Sequence, residues 1–194
     1  LEIYKSLQEK SIHVDVLVNN AGIGIDGYFA ETDILSELNI IQINASSLTY
    51  LTKLFLKDMI IRKHGKILNI ASTAAFHPGP LMSVYYASKA YVLSFSEAIA
   101  EELKGTGITV SVLCPGPIRG SSQLTERIGK SALLSKKLSL DVTDIARAGY
   151  CGFMSGKTII IPGTKNKIIT WLTRFLPRNL ITKLVKSEQE SRKG

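Results

Sequence analysis

Cysteine is scarce in this sequence: Cys114 and Cys151 are the only two in 194 residues. Their separation fits neither a redox pair nor a metal-ligand cluster. The expected setting is therefore a reduced, cytoplasmic one with inert buried thiols and no metal site. Long apolar runs are missing too. A stretch such as Ile12–Val18 falls far short of the roughly 20 residues a bilayer-spanning helix needs. Gly (15) and Pro (6) are too few for a low-complexity chain, while apolar residues make up 45% and charged residues 21%. This composition excludes collagen-like and disordered chains and describes a globular body with one core. A glycine-rich strand-to-helix turn for a dinucleotide pyrophosphate is also lacking. Gly22-Ile23-Gly24 is a poor substitute, because the next glycine falls at Gly27 in a polar segment.

Acidic residues run short in one region. The net charge is +8, and beyond Thr164 the cations Lys165, Lys167, Arg174, Arg178, Lys183, Lys186, Arg192 and Lys193 face only Glu188 and Glu190. The positive excess is concentrated in this C-terminal segment, and the body is nearly balanced. A nucleic-acid binder spreads basic residues over a recognisable module. None is visible, and no nucleic-acid partner is expected.

What is present is an alternation. Short β-rich runs at Val14–Val18, Lys66–Ile70, Thr109–Leu113 and Thr158–Ile161 are separated by stretches of helical spacing over Glu31–Arg62, Val84–Lys104 and Gln123–Lys137. Leu1–Lys10 reads as a further helix. The pattern predicts an α/β fold, a parallel sheet with helices on both faces. Three strands run into unusual sequences: Asn19-Asn20-Ala21-Gly22-Ile23-Gly24, Ala71-Ser72-Thr73 and Cys114-Pro115-Gly116-Pro117. All three fall on the carboxyl edge of the sheet, where open parallel sheets bind ligands.

Tyr85 and Lys89 stand four apart on a predicted helix, so their side chains share a face. A phenol titrates near ~10 and is a poor base at neutral pH. A nearby ammonium favours the phenolate and lowers that value, which suits proton exchange between a carbonyl and an alcohol. Ser72, at the end of the preceding strand, is placed to hydrogen-bond the same substrate oxygen. Tyr86, three residues from Lys89, also shares its face, and spacing alone leaves the choice of tyrosine open.

The set Asn19-Asn20-Ala21-Gly22, Asn44, Ser72, Tyr85-Tyr86-Ala87-Ser88-Lys89 and Pro115-Gly116-Pro117-Ile118 resembles the short-chain dehydrogenase/reductase family, in order and spacing, from Leu1 to about Gly163. The resemblance implies a Rossmann-like sheet whose first strands, on roughly sixty further residues, are missing, so that the chain is N-terminally truncated. Such a fragment is expected to bind cofactor poorly and to aggregate. By the resemblance Tyr85 is the general acid/base, Ser72 polarises the carbonyl, and Lys89 lowers the tyrosine pKa and holds the nicotinamide ribose. Asn44 would anchor a water that relays protons through Lys89. Asn19, Ala21 and Gly22 would line the adenosine side of the cofactor, and Pro115, Gly116 and Ile118 the nicotinamide side. Gly120 stands where the family has a cofactor-bonding threonine, so that contact would be either lost or taken by Ser121 or Ser122. The cofactor implied is NADP, with NAD as the alternative, and the full-length protein would be a homo-oligomer pairing through the Glu31–Arg62 and Val84–Lys104 helices.

His77 and Met82 are expected to border the substrate pocket. Residues 1–163 are expected to form the dehydrogenase domain and residues 164–194 a basic amphipathic segment, broken at Pro177 into two short helices. That segment would either lie on a membrane surface or pack beside the pocket. The functional expectation is hydride transfer between NAD(P) and a ketone or secondary alcohol, as an NADPH-dependent reductase of a lipophilic or acyl carbonyl. The alternative is a catalytically silent remnant acting as an interaction or membrane-surface protein.

Overall fold

A computed structural model describes residues 2–119 and 137–191. Four strands, β1 (Val16–Asn19), β2 (Gly65–Ile70), β3 (Ile108–Leu113) and β4 (Ile159–Ile160), form one sheet in the order β1-β2-β3-β4. Every pairing is parallel, with Val18 opposite Leu68, Leu68 opposite Ser111, and Leu113 opposite Ile160. The chain starts with α1 (Glu2–Glu9), and α2 (Ile34–Ile41) and α3 (Leu48–Arg62) link β1 to β2. Next come α4 (Ser83–Glu102) before β3 and α5 (Val142–Met154) before β4, then α6 (Thr164–Leu172) and α7 (Arg178–Glu190). The helix expected over Gln123–Lys137 lies, apart from Lys137, outside the described residues, as do Gly120, Ser121 and Ser122.

Side chains alternate across each strand, and both faces of the sheet are apolar. On one face Ile67, Val110 and Val112 pack with Met59 of α3 and with Val92 and Leu93 of α4. On the other, Leu68, Leu113 and Ile160 pack with Ile145 and Phe153 of α5. Burying one such side chain contributes roughly 1.5–3 kcal/mol, so these layers fix the strand register. Val16 and Val18 share the face of Leu68, but α5 does not reach them, and they remain 46% and 50% exposed. No helix of the described residues is long and apolar enough to cross a membrane.

Three departures from the expected elements matter. The helix predicted from Glu31 begins only at Ile34, because the Asp33 carboxylate accepts the Ser36 N–H (2.8 Å) and caps it there. It is also broken by a π-helical segment, Gln42–Ser47. Helix α5, capped by Asp141 accepting the Thr143 N–H (2.8 Å), is additional to the predicted elements. Cys114 is buried as expected, whereas Cys151, on α5, is exposed, because the helix buries Gly149, Gly152 and Phe153 instead.

A polar ladder crosses the covered face near the carboxyl edge. Asn19 Nδ2 donates to Thr52 Oγ1 (3.0 Å) and Asn69 Oδ1 (2.8 Å), and Asn69 Nδ2 donates to Ser96 Oγ (2.9 Å). It ties β1 and β2 to α3 and α4. Asn69→Ala removes the acceptor of Asn19 and the donor to Ser96 Oγ, whose hydroxyl keeps its bond to the Val92 carbonyl (2.6 Å), and is expected to cost about 1–3 kcal/mol in urea denaturation. Lys104→Ala, which breaks only an exposed pair with Glu101, should cost less than about 1 kcal/mol.

Candidate active site

The strand ends and the N-terminal half of α4 enclose a cleft of about 640 Å³. Ser72, Tyr85 and Lys89 all line it, with His77 and Met82 beside them. Ser72 follows β2 and caps a short 3₁₀ turn, Thr73–Phe76, by accepting the Ala74 N–H (3.1 Å). The loop after β3 is stitched to the same point, since Thr73 N–H donates to the Pro115 carbonyl (2.8 Å). Serine is thus held where two strand ends meet.

Lys89 is 5% exposed, and its Nζ donates to the Ile70 carbonyl (3.0 Å). That ammonium lies 5.7 Å from the centre of the Tyr85 ring. Burial lowers the Lys89 pKa to about 8, an effect the neighbouring Cys114 partly opposes. Burial likewise pushes the Cys114 thiol up to about 12, which makes it inert. Burial also lowers His77, against the bond to the Pro78 carbonyl.

Asn44 sits in the π-helical segment, whose wider turn points its carboxamide inward; such segments recur at functional sites. Its Oδ1 accepts the Ile23 N–H (2.9 Å), and its Nδ2 donates to the Ile23 carbonyl (2.8 Å) and Ser88 Oγ (2.9 Å). In this structure it fastens the loop after β1 to α4. That loop is held so close that a Cβ on Gly22 would lie 3.1 Å from Lys89 Nζ, and one on Gly24 2.8 Å from Tyr85 Cδ2. Bare glycine backbone therefore packs directly against the lysine and the tyrosine ring at the cleft wall. The Lys89 ammonium and the Tyr85 phenol beside it could donate hydrogen bonds to the hydroxyls of a nicotinamide ribose. Gly22, Pro115, Gly116, Ile118, Tyr85 and Lys89 are the residues on the cleft wall that could hold it.

Asn19 and Ala21 do not line the cleft. Asn19 turns into the core ladder, and its neighbour Asn20 takes the place on the wall. The two tyrosines differ in what holds them. Tyr86 Oη accepts a hydrogen bond from Gln189 Nε2 (2.9 Å), and its ring lies flat over Gly79. Tyr85 lies against Gly24 and Lys89 instead.

Residues that sequence reading missed come mostly from the C-terminal helices. Gln189 is buried, and Asn166 packs so tightly on Gly116 that a Cβ there would come within 2.5 Å of its Nδ2. Ile169, Leu172, Leu176, Ile181, Leu184 and Val185 supply the apolar wall. The segment broken at Pro177 thus packs beside the pocket, and Tyr28 Oη donating to Glu190 Oε1 (2.9 Å) tethers its end. An asparagine three residues after Pro162-Gly163, with apolar residues at helical spacing, was the available signal.

Lys89 holds its proton less tightly when folded than the unfolded chain does, so the unfolded state binds more protons between pH 8 and 10.5. Stability rises with pH through that window and is lowest below it. Relative to Lys89→Met, the wild-type chain is expected to gain on the order of 3 kcal/mol across the window in denaturation at stepped pH. A constant difference would show that the ammonium pays no burial cost.

Residues 2–131 match the family model described as short chain dehydrogenase. The ketoacyl reductase HetN of Nostoc is 44% identical over 103 residues, covering 53% of this chain and 36% of that protein. The mouse 17-beta-hydroxysteroid dehydrogenase type 3 is 36% identical over 167 residues, covering 82% and 54%. Among solved structures, the bulky-bulky ketone specific alcohol dehydrogenase of Comamonas testosteroni is similar with a TM-score of 0.70 and 26% identity, covering 90% and 66%. The chain spans between about a third and two thirds of the length of these three relatives. With the parallel sheet, the strand-end cleft and the match over most of its length, the chain belongs to the short chain dehydrogenase family.

Proposed function

We propose that this chain carries the catalytic centre of an oxidoreductase that transfers a hydride between a nicotinamide dinucleotide and a ketone or secondary alcohol. The observation that carries the reading is the shared cleft of Ser72, Tyr85 and Lys89, with glycine backbone opposite at Gly22 and Gly24. The hydride is what a bound nicotinamide dinucleotide supplies or accepts. Tyr85 gives the proton to the carbonyl oxygen during reduction and takes it back during oxidation. Lys89, a turn away, stabilises the phenolate left behind, and its own lowered pKa makes it a proton carrier near neutral pH. Ser72 orients the carbonyl from the end of β2. Asn44 positions: it holds the Ile23 backbone and, through Ser88, the turn of α4 that bears Tyr85.

The substrate would be lipophilic or acyl and the favoured direction reduction with NADPH. The apolar wall from α6 and α7 supports the first point, and relatives named for ketoacyl and hydroxysteroid substrates agree with it. NADP over NAD rests on family resemblance alone. Subunit pairing would use the exposed side chains of Tyr50, Leu51 and Tyr91 on α3 and α4.

Tyr85→Phe keeps the ring and removes the proton. On a longer chain that also carries the glycine-rich segment, it is expected to lower carbonyl-reductase turnover roughly 10²- to 10⁴-fold while calorimetric dinucleotide binding stays nearly intact. Tyr86→Phe should retain turnover and lose thermal stability, because its hydroxyl serves Gln189. Equal loss of turnover in both variants would refute the assignment.

A further inference from the structure

The helix that walls the cleft has an outer face that the proposed chemistry leaves unused. In α6, Asn166, Ile169, Thr170 and Leu172 line the cleft, as does Thr173 just beyond it. On the opposite side Ile168 and Trp171, and Phe175 one turn on, all stand exposed, Trp171 at 58% and Phe175 at 68%. The Trp171 and Phe175 rings pack at 4.7 Å and form a single apolar plate. A surface helix ordinarily presents polar residues on that side, and contiguous exposed apolar area marks an interaction site. Leu172, Leu176 and Leu184 are exposed and also line the cleft, so the plate runs into the cleft mouth.

The stretch of chain that carries the plate has charge of one sign. No Asp or Glu occurs between Asp144 and Glu188, whereas Lys165, Lys167, Arg174, Arg178 and Lys183 all fall there. These five are exposed and, among the described residues, none is in an ion pair. Large apolar side chains with a cationic rim match acyl chains beneath anionic headgroups. A second copy of the chain fits worse, because a symmetric contact would set the same cations against each other.

We infer that this face rests on an anionic lipid surface, with the mouth of the cleft turned toward the bilayer. A lipophilic substrate would then pass between membrane and cleft along Leu172, Leu176 and Leu184. Only this delivery rests on the proposed function; the docking stands without it, and the two fail separately.

Trp171 is the single tryptophan of the chain, so its emission reads this face directly. The 194-residue chain is titrated with phosphatidylcholine–phosphatidylserine vesicles, with pure phosphatidylcholine vesicles, and without lipid over a range of protein concentrations. The expected result is a blue shift with the anionic vesicles, quenching by brominated acyl chains, and loss of both at high salt, where screening is short-ranged. Lys165→Ala with Lys167→Ala should lower the partition roughly tenfold or more, and Phe175→Ser should weaken it while keeping the preference for phosphatidylserine. Emission unmoved by anionic vesicles overturns the inference, as does an equal shift with pure phosphatidylcholine. A lipid-free shift that grows with protein concentration, alongside a doubled mass in light scattering, would assign the face to self-association instead.

Discussion

Lys89 brings an ammonium into a place that holds little water, and much of the carboxyl edge is arranged around that cost. Removing a charge from water costs several kcal/mol unless fixed dipoles replace the hydration. Here the carbonyl at the end of β2, that of Ile70, accepts a hydrogen bond from the ammonium. The glycine backbone at Gly22 stands close by, and Asn44 Oδ1 lies just behind it. The compensation is partial, which is why the lysine holds its proton loosely. The same loose hold makes it a useful neighbour for a phenol. A fully solvated lysine at this position would be stable and chemically dull.

The loop after β1 is the second half of that arrangement. It has no helix of its own to stiffen it, and its approach to Tyr85 depends on two glycines and one asparagine. Asn44 holds both polar groups of Ile23, so the loop is fixed in register as if it were one residue of a strand. Ser88 links the same asparagine to α4 through the Tyr85 carbonyl. Helix, loop and π-helical segment are therefore joined through one asparagine, and the tyrosine ring packs against the backbone of Gly24.

Much of this was legible in the residues. Parallel strands covered on both faces read as short apolar runs, and β1 to β3 begin and end within a residue or two of them. The spacing of Tyr85 and Lys89 and the position of Ser72 at a strand end were equally plain. Helix α5 was hidden because Gly149 and Gly152 lower its helix propensity; they are there to let the helix touch Leu113 and Ile160. The π-helical segment has no compositional signature. Asn19 was ambiguous because a residue at a strand end can face a ligand or the core, and only its register against Asn69 decides. The role of Tyr86 depended on Gln189, 103 residues away, which no local pattern connects.

The contrast between the two thiols offers a handle of a practical kind. Cys114 is sealed behind Lys89 with its pKa far above physiological pH, whereas Cys151 is open to solvent on α5 and is no part of the cleft wall. A maleimide dye would attach to one position without deliberate mutagenesis, leaving the lysine and tyrosine untouched. The molecule thus comes with its own anchoring point for spectroscopic rulers or surface immobilisation, on the side of the sheet opposite α4.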